Sequence, residues 1–139
     1  MQTSFTISTS GPGLYEFTRD ILNFVSNSGV DSGLLTLFVR HTSCSLLIQE
    51  NADPDVKHDM DAFFARLVPR ANDPSMSYLL HRLEGNDDMP AHIKSALTQT
   101  SISIPVDQSR PLLGTWQGIY LYEHRDNPHN REVVAHLGP

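Results

Sequence analysis

Cysteine is almost absent: Cys44 stands alone in 139 residues, so no intrachain disulfide can hold this chain together. That usage fits a reducing compartment and makes the cytoplasm the expected location. Long hydrophobic runs are absent too. No stretch of about 18 apolar residues exists to span a bilayer, and the opening Met1-Gln2-Thr3-Ser4-Phe5 has neither the basic region nor the apolar core of a signal peptide. Positive charge is scarce, with ten Lys and Arg against sixteen Asp and Glu and a net charge of −6. Such a chain repels polyphosphate and has no Lys/Arg stripe to track a nucleic-acid backbone, so neither nucleic acid nor a membrane is an expected partner. Repeats and linkers are missing as well, because Pro and Gly are scattered as turns. A single domain over residues 1–139 is therefore expected, long enough to bury roughly 70% of its unfolded surface without staples.

What is present is a pattern of short apolar segments. Phe5 and Ile7 alternate with polar residues, as in a strand ending at Ser10-Gly11-Pro12-Gly13. Leu14, Phe17, Ile21, Leu22, Phe24 and Val25 recur at helical spacing, and Gly29 can end that helix. The short run Leu34 to Val39 predicts a strand buried on both faces, and Leu46-Leu47-Ile48 predicts another. Asp53 as N-cap and Pro54 in the first helical position open a helix with a buried stripe of Val56, Met60, Phe63, Phe64 and Leu67, closed by Pro69. Tyr78-Leu79-Leu80 reads as an extended segment leading into His81, and Pro90 to Leu97 as a short helix. Ile102, Ile104 and Val106 alternate as a strand. Gly114 to Glu123 reads as a central strand, and Arg131 to Leu137 pairs with it as a hairpin across Asp126-Asn127-Pro128. Strands with interspersed helices and no βαβ rhythm predict an α+β fold.

Seven histidines are many for this length, and imidazole both titrates near neutral pH and binds metals. His41 ends an apolar run and is followed by Thr42, Ser43, Cys44 and Ser45, so hydrogen-bonding groups crowd a ring held on rigid backbone. His81 and His92 flank the turn Glu84-Gly85-Asn86-Asp87-Asp88, which can fold both rings toward one point. Three imidazoles with an open fourth position are how catalytic zinc is commonly held, and Glu50, Glu84, Asp87 and Asp88 are available to fix the ring tautomers. Each histidine also has an ordinary reading: a buried ring satisfied by a carbonyl for His41, and surface residues for His81 and His92. A Cys44 nucleophile is disfavoured because nothing basic besides His41 would lower its pKa. Ser43 and Ser45 lack the Gly-x-Ser-x-Gly elbow. His58, His124, His129 and His136 are expected at the surface. Glu123 shares strand parity with Gln117, Ile119 and Leu121, and Arg131 is its natural partner, which leaves a structural salt bridge and a ligand contact both open.

Three blocks then stand in order. They are His41-Thr42-Ser43-Cys44-Ser45-Leu46 with Glu50-Asn51, His81 to His92 with Gly85-Asn86-Asp87-Asp88-Met89-Pro90-Ala91 between, and Gly114-Thr115-Trp116-Gln117-Gly118-Ile119 with Glu123. Together they resemble the YjbQ family over nearly the whole chain. The resemblance implies a compact α+β domain with a mostly antiparallel, β-sandwich-like core and about three helices. It further implies a homotrimer with a metal pocket whose histidines correspond to His41, His81 and His92. Family members are credited with secondary thiamine-phosphate synthase activity, a transferase reaction joining hydroxymethylpyrimidine diphosphate to a thiazole phosphate. On that reading a divalent metal, zinc foremost, stabilises the departing diphosphate with Lys94 or Arg131. Glu50, Asp87 and Glu123 are the candidate catalytic carboxylates, and Thr42, Ser43, Asn51, Asn86, Trp116, Gln117 and Arg131 the candidate substrate contacts. Diphosphate chemistry usually prefers magnesium on carboxylates, whereas three imidazoles suit zinc. The alternative is therefore a zinc-dependent hydrolase of phosphate or acyl esters in which Glu50 or Asp87 moves protons, and a third reading is a metabolite- or metal-binding trimer without catalysis. Cys44 stands where the family commonly has a small residue such as Ala, which makes it packing.

Overall fold

The period-two apolar pattern becomes two antiparallel sheets in the computed structural model, which describes residues 1–139. In chain order the elements are β1 (Gln2–Thr9), β2 (Gly13–Glu16), α1 (Thr18–Ser26), β3 (Gly33–Val39), β4 (Cys44–Glu50) and α2 (Pro54–Leu67), then a 3-10 turn at Pro74–Met76. They continue with α3 (Asp88–Leu97), β5 (Ser101–Asp107), β6 (Arg110–Pro111), β7 (Gln117–Glu123) and β8 (His129–Gly138). One sheet runs β1-β8-β3-β5-β6 and the other β2-β7-β4.

Register places the core. Leu35 lies opposite Leu137 and Ile104, and Leu37 opposite Ala135 and Ile102, so every second side chain of β3, β5 and β8 meets on one face. That face packs against Phe17, which caps α1, against Ile21 and Val25 of α1 and against Cys44, Leu46, Ile119 and Leu121 of the second sheet. Burying Ile21 and Val25, both 0% exposed, stabilises the fold by about 1.5–3 kcal/mol each. The other face of the second sheet carries Leu14, Tyr120 and Tyr122 and is covered by Met60 and Phe64 of α2. β7 is therefore enclosed on both sides, which is why its sequence is so rich in aromatic and branched residues.

Several expectations are corrected. Leu14 belongs to β2, which pairs with β7, and the first helix starts only at Thr18. The strand from Leu34 to Val39 is buried on one face alone: Leu34 and Phe38, each 48% exposed, point outward because only one side of that sheet is covered. β7 and β8 do not form a hairpin. The chain crosses between sheets at residues 124–128, and β8 pairs with β1 and β3 instead. The segment Tyr78 to Leu80 is irregular, not extended sheet. The Asp53 cap and Pro54 do start α2, with Asp53 accepting the Asp55 N–H at 2.9 Å. Its stripe is shallow, however: Phe63 and Leu67 are 58% and 53% exposed, since α2 forms an outer layer that touches the sheet along one narrow line. His124 is 3% exposed, not a surface residue, because it directly follows the enclosed β7.

Candidate metal centre

Two of the three predicted histidines converge, and a carboxylate joins them. Asp88 opens α3 and His92 lies one helical turn later, so both project from the same face. His81 arrives from the loop after the 3-10 turn. That loop is held by Arg82, whose guanidinium donates to the carbonyls of Leu79, Ala71 and Met76 at 2.8, 2.8 and 2.9 Å. Beneath it sits a small core of Val68, Ala71, Met76 and Leu79. One ligand atom each of His81, Asp88 and His92 can be chosen so that all lie within 4.8 Å of one another. Asp88 Oδ2 is 2.6 Å from His81 Nε2 and 3.2 Å from His92 Nε2.

The surroundings fix the donors. Asp88 Oδ1 is bound by Arg125 at 2.8 Å, and the same guanidinium donates to Asp87 at 2.8 Å. Burial opposes a charge on Asp88, but the His81 hydrogen bond and the positive field of Arg125 and His92 outweigh it and hold the carboxyl below its usual value. His92 Nδ1 lies 2.9 Å from the Thr42 carbonyl, so this nitrogen carries a proton and the ring turns Nε2 toward Asp88. An imidazole nitrogen this close to a carboxylate requires a proton or a cation between them. Two imidazoles and a carboxylate, with one ring oriented by a carbonyl and the acid by an arginine, therefore fit a divalent metal with open positions toward solvent.

His41 is not brought to this group. The β3–β8 ladder continues past Val39 through the Arg40 N–H to the Glu132 carbonyl, and the His41 ring takes the next place, its Nε2 accepting the Glu132 N–H at 2.9 Å. Burial, then the Arg131 charge, lowers its pKa. The residues after it form a rail of hydrogen bonds. Thr42 orients His92, Ser43 Oγ accepts from Arg131 at 3.0 Å, the Cys44 carbonyl accepts from Ser95 of α3 at 2.8 Å, and Ser45 Oγ meets His124 Nε2 at 3.0 Å. The Cys44 thiol is pushed up to about 12, chiefly by burial, which leaves it inert as a nucleophile.

Glu123 and Arg131 form an ion pair inside the sandwich, at 2.6 and 2.8 Å, with Thr9 Oγ1 donating to the same carboxylate at 2.6 Å. With the backbone N–H groups of His124 and Arg125 added, the carboxylate is fully occupied and 0% exposed, so the structural salt bridge is the arrangement found. Asp87 accepts from Arg125 and from the Asp126 N–H, and Asn86 offers its carbonyl to Ala71. Glu50, Asn51, Trp116 and Gln117 gather elsewhere. Glu50 accepts the Asp53 N–H, the Asn51 N–H bonds the Trp116 carbonyl, and Gln117 accepts the Gly114 N–H. A Cβ on Gly118 would lie 2.7 Å from Glu16 Oε2 and 3.1 Å from Asn51 Cβ, so a side chain there would displace the Glu16 carboxylate and press on Asn51. Cys44 pairs with Glu123 and Glu50 with Gln117, so this cluster sits at the opposite end of the β4–β7 pair from α3, roughly 20 Å along the strands. Sequence reasoning did not group Asp88 with the histidines as a candidate ligand, although its i, i+4 spacing to His92 was the available signal. It also missed Arg125 and Arg82, whose roles depend on contacts no local pattern encodes.

The family model described as UPF0047 protein YjbQ-like matches residues 3–138. A UPF0047 protein of Synechocystis is 54% identical over 136 residues, covering 98% of this chain and 90% of the relative. The UPF0047 protein YjbQ of Escherichia coli O157:H7 is 44% identical, covering 98% of this chain and 96% of the relative. A crystal structure of an uncharacterized YjbQ/UPF0047 family protein from Clostridium acetobutylicum superposes with a TM-score of 0.85 at 32% identity, over 98% of this chain and 99% of that one. A conserved hypothetical protein of Thermus thermophilus gives 0.83 at 35% identity over the same shares. With matching sequence from end to end and the same two-sheet architecture, this chain belongs to the YjbQ-like UPF0047 family.

Proposed function

We propose that the protein is a cytoplasmic, metal-dependent enzyme in which His81, Asp88 and His92 hold a divalent ion, zinc by its donor set, and that it hydrolyses a phosphate or acyl ester. The observation that carries this reading is the Nε2 of His92, aimed by the Thr42 carbonyl at the Asp88 carboxylate 3.2 Å away. A zinc ion so held supplies Lewis acidity and makes water acidic enough to act near neutral pH. The chain's own part is to keep the donors in place through Thr42, Arg125 and Arg82, and to leave the His81 side of the pair open, its side chain being 45% exposed.

Transfer of the pyrimidine to thiazole phosphate is the second reading. It is favoured by the carboxylate itself, since replacing one of three imidazoles by Asp88 makes the donor set harder and more accepting of a diphosphate-bound ion. The two separate in one experiment with the metal-loaded, untagged protein. Hydrolysis predicts turnover of 4-nitrophenyl phosphate or 4-nitrophenyl acetate as sole substrate, reduced about 100-fold or more in His81→Ala. Thiamine phosphate formed from the paired precursors, with no single ester consumed, assigns the transferase. Metal binding without turnover in either assay leaves a binding protein and sinks both.

The proposal includes a homotrimer. Its support is apolar surface on the loop that carries His81: Tyr78, Leu80 and Leu83 are 70%, 95% and 100% exposed. Trp116, 61% exposed, stands at the far end of β4 and β7. Ring contacts join two different patches, so a closed trimer would set the Trp116 end of one subunit against the His81 loop of the next. Sedimentation equilibrium is expected to return three times the 15.5 kDa subunit mass, and the Leu80→Glu, Leu83→Glu double variant a monomer. A monomeric wild type would refute the assembly.

A further inference from the structure

On the far side of α3 from the metal centre lies a cavity of about 190 Å³, between α2, α3 and the end of β7. Asp87, Pro90 and Lys94 face it, roughly 150° around the helix from Asp88 and His92. Its rim is highly charged, and almost every charge has a partner. Arg70 pairs with Asp126 at 2.8 Å, Asp87 with Arg125 at 2.8 Å, and Glu123 with Arg131 at 2.6 Å. Lys94 and Asp61 are left over, with no ion pair to each other or to anything else. Burial disfavours both charges, lowering the pKa of Lys94 and raising that of Asp61 against the pull of the Tyr122 hydroxyl.

The third unspent group is His124. Its Nε2 is used by Ser45, its other ring nitrogen has no protein partner, and no buried side-chain nitrogen or oxygen in the chain is orphaned. That second nitrogen must therefore touch open space, which at this position is the cavity. Burial, reinforced by Lys94, pushes His124 down to about 3, so the ring stays neutral and offers a hydrogen bond without a charge. Phe64, Val68 and Pro90 supply apolar wall. Asp61 is exposed at the cavity mouth and Lys94 half-buried beside it, so one charge of each sign faces the opening without an ion-pair partner.

We propose that this cavity is a second ligand site, taking a small zwitterion whose carboxylate or phosphate meets Lys94 and whose ammonium group meets Asp61. Once the existing ion pairs are set aside the walls carry one charge of each sign, so a molecule with no net charge but separated ends is the complement. The site goes beyond the metal-centre reading and stands without it. The test titrates untagged full-length protein with glycine, β-alanine, 4-aminobutyrate and phosphoethanolamine, and with acetate and methylamine as half-ligands, while following the ring resonances of His124. One zwitterion is expected to give a saturable shift and to bind about tenfold or more tightly than either half-ligand. Comparing phosphoethanolamine with the carboxylates identifies the anionic end. Lys94→Met and Asp61→Asn should each weaken binding about tenfold or more. Neither residue has an ion pair to lose, so the thermal midpoint should hold, and His81→Ala should bind normally. No saturable response to any probe, or undiminished binding in Lys94→Met, overturns the proposal.

Discussion

Arg131→Met is expected to lower the free energy of unfolding by about 3–5 kcal/mol, a large part of what a domain this size has. Glu123 is the last inward residue of β7 and Arg131 the first of β8, so their ion pair joins the two sheets where the chain passes from one to the other. Removing the guanidinium leaves a fully buried carboxylate bonded by Thr9 and two backbone N–H groups, with the His129 ring 3.8 Å away. The loss is that of an uncompensated charge, not of the pair as such, and a companion variant shows it: Glu123→Leu with Arg131→Met should recover much of the stability. Urea denaturation of both variants decides the matter, and a double variant no better than the single one would refute the account. The pH dependence has a definite sign. Burial opposes the Glu123 charge, but the Arg131 and Thr9 hydrogen bonds outweigh it and hold the pKa below the ordinary 4.5. Its contribution is therefore complete above about 4.5 and is lost as pH falls further, through the lower folded value. Arg131→Met should lack that acid-side loss.

His81→Ala, Asp88→Asn and His92→Ala are each expected to drop bound metal from about one ion per subunit to near zero, while His41→Ala keeps it. The contrast matters more than the losses. A set of three histidines would make His41 equal to the others, whereas the structure seats its ring on the Glu132 N–H at the end of the β3–β8 ladder. Arg125→Met should weaken metal affinity about 10- to 100-fold, because it removes the group that fixes Asp88 Oδ1. Elemental analysis of untagged protein for zinc, manganese and iron gives the stoichiometry, and competition with a chelator gives the affinity. If His41→Ala empties the protein as thoroughly as His81→Ala, the His-Asp-His assignment fails.

The sheets were readable because alternation is a local property: Ile102, Ile104 and Val106 all face one core, as their spacing says. What covers each face is not local. The outward Leu34 and Phe38, and the shallow seat of Phe63 and Leu67, depend on which elements pack where. The crossing from β7 to β8 looked like a hairpin because Asp126-Asn127-Pro128 is a good turn wherever the next strand goes. In the candidate metal centre, His81 and His92 stood out by residue type. Asp88 was visible only as one more acid in an acidic turn, and His41 was included because it follows an apolar strand. Within the chain its ring instead bonds the Glu132 N–H beyond that strand. His124 was discounted as a residue near a turn, although it continues an alternation that runs into the core.

The rail from His41 to Ser45 has a consequence for the chain's tolerance of change. Five consecutive positions address β8, α3 and the end of β7 in turn, by side chain, carbonyl, hydroxyl, carbonyl and hydroxyl. Two of those links run through peptide groups, which every amino acid possesses, so identity is negotiable at the exposed Thr42 and limited by core packing alone at Cys44. Phase is not negotiable: one extra residue would hand each neighbour its partner's group and point alternate side chains the wrong way. The stretch works as a ruler, held by three of its letters and fixed in its count.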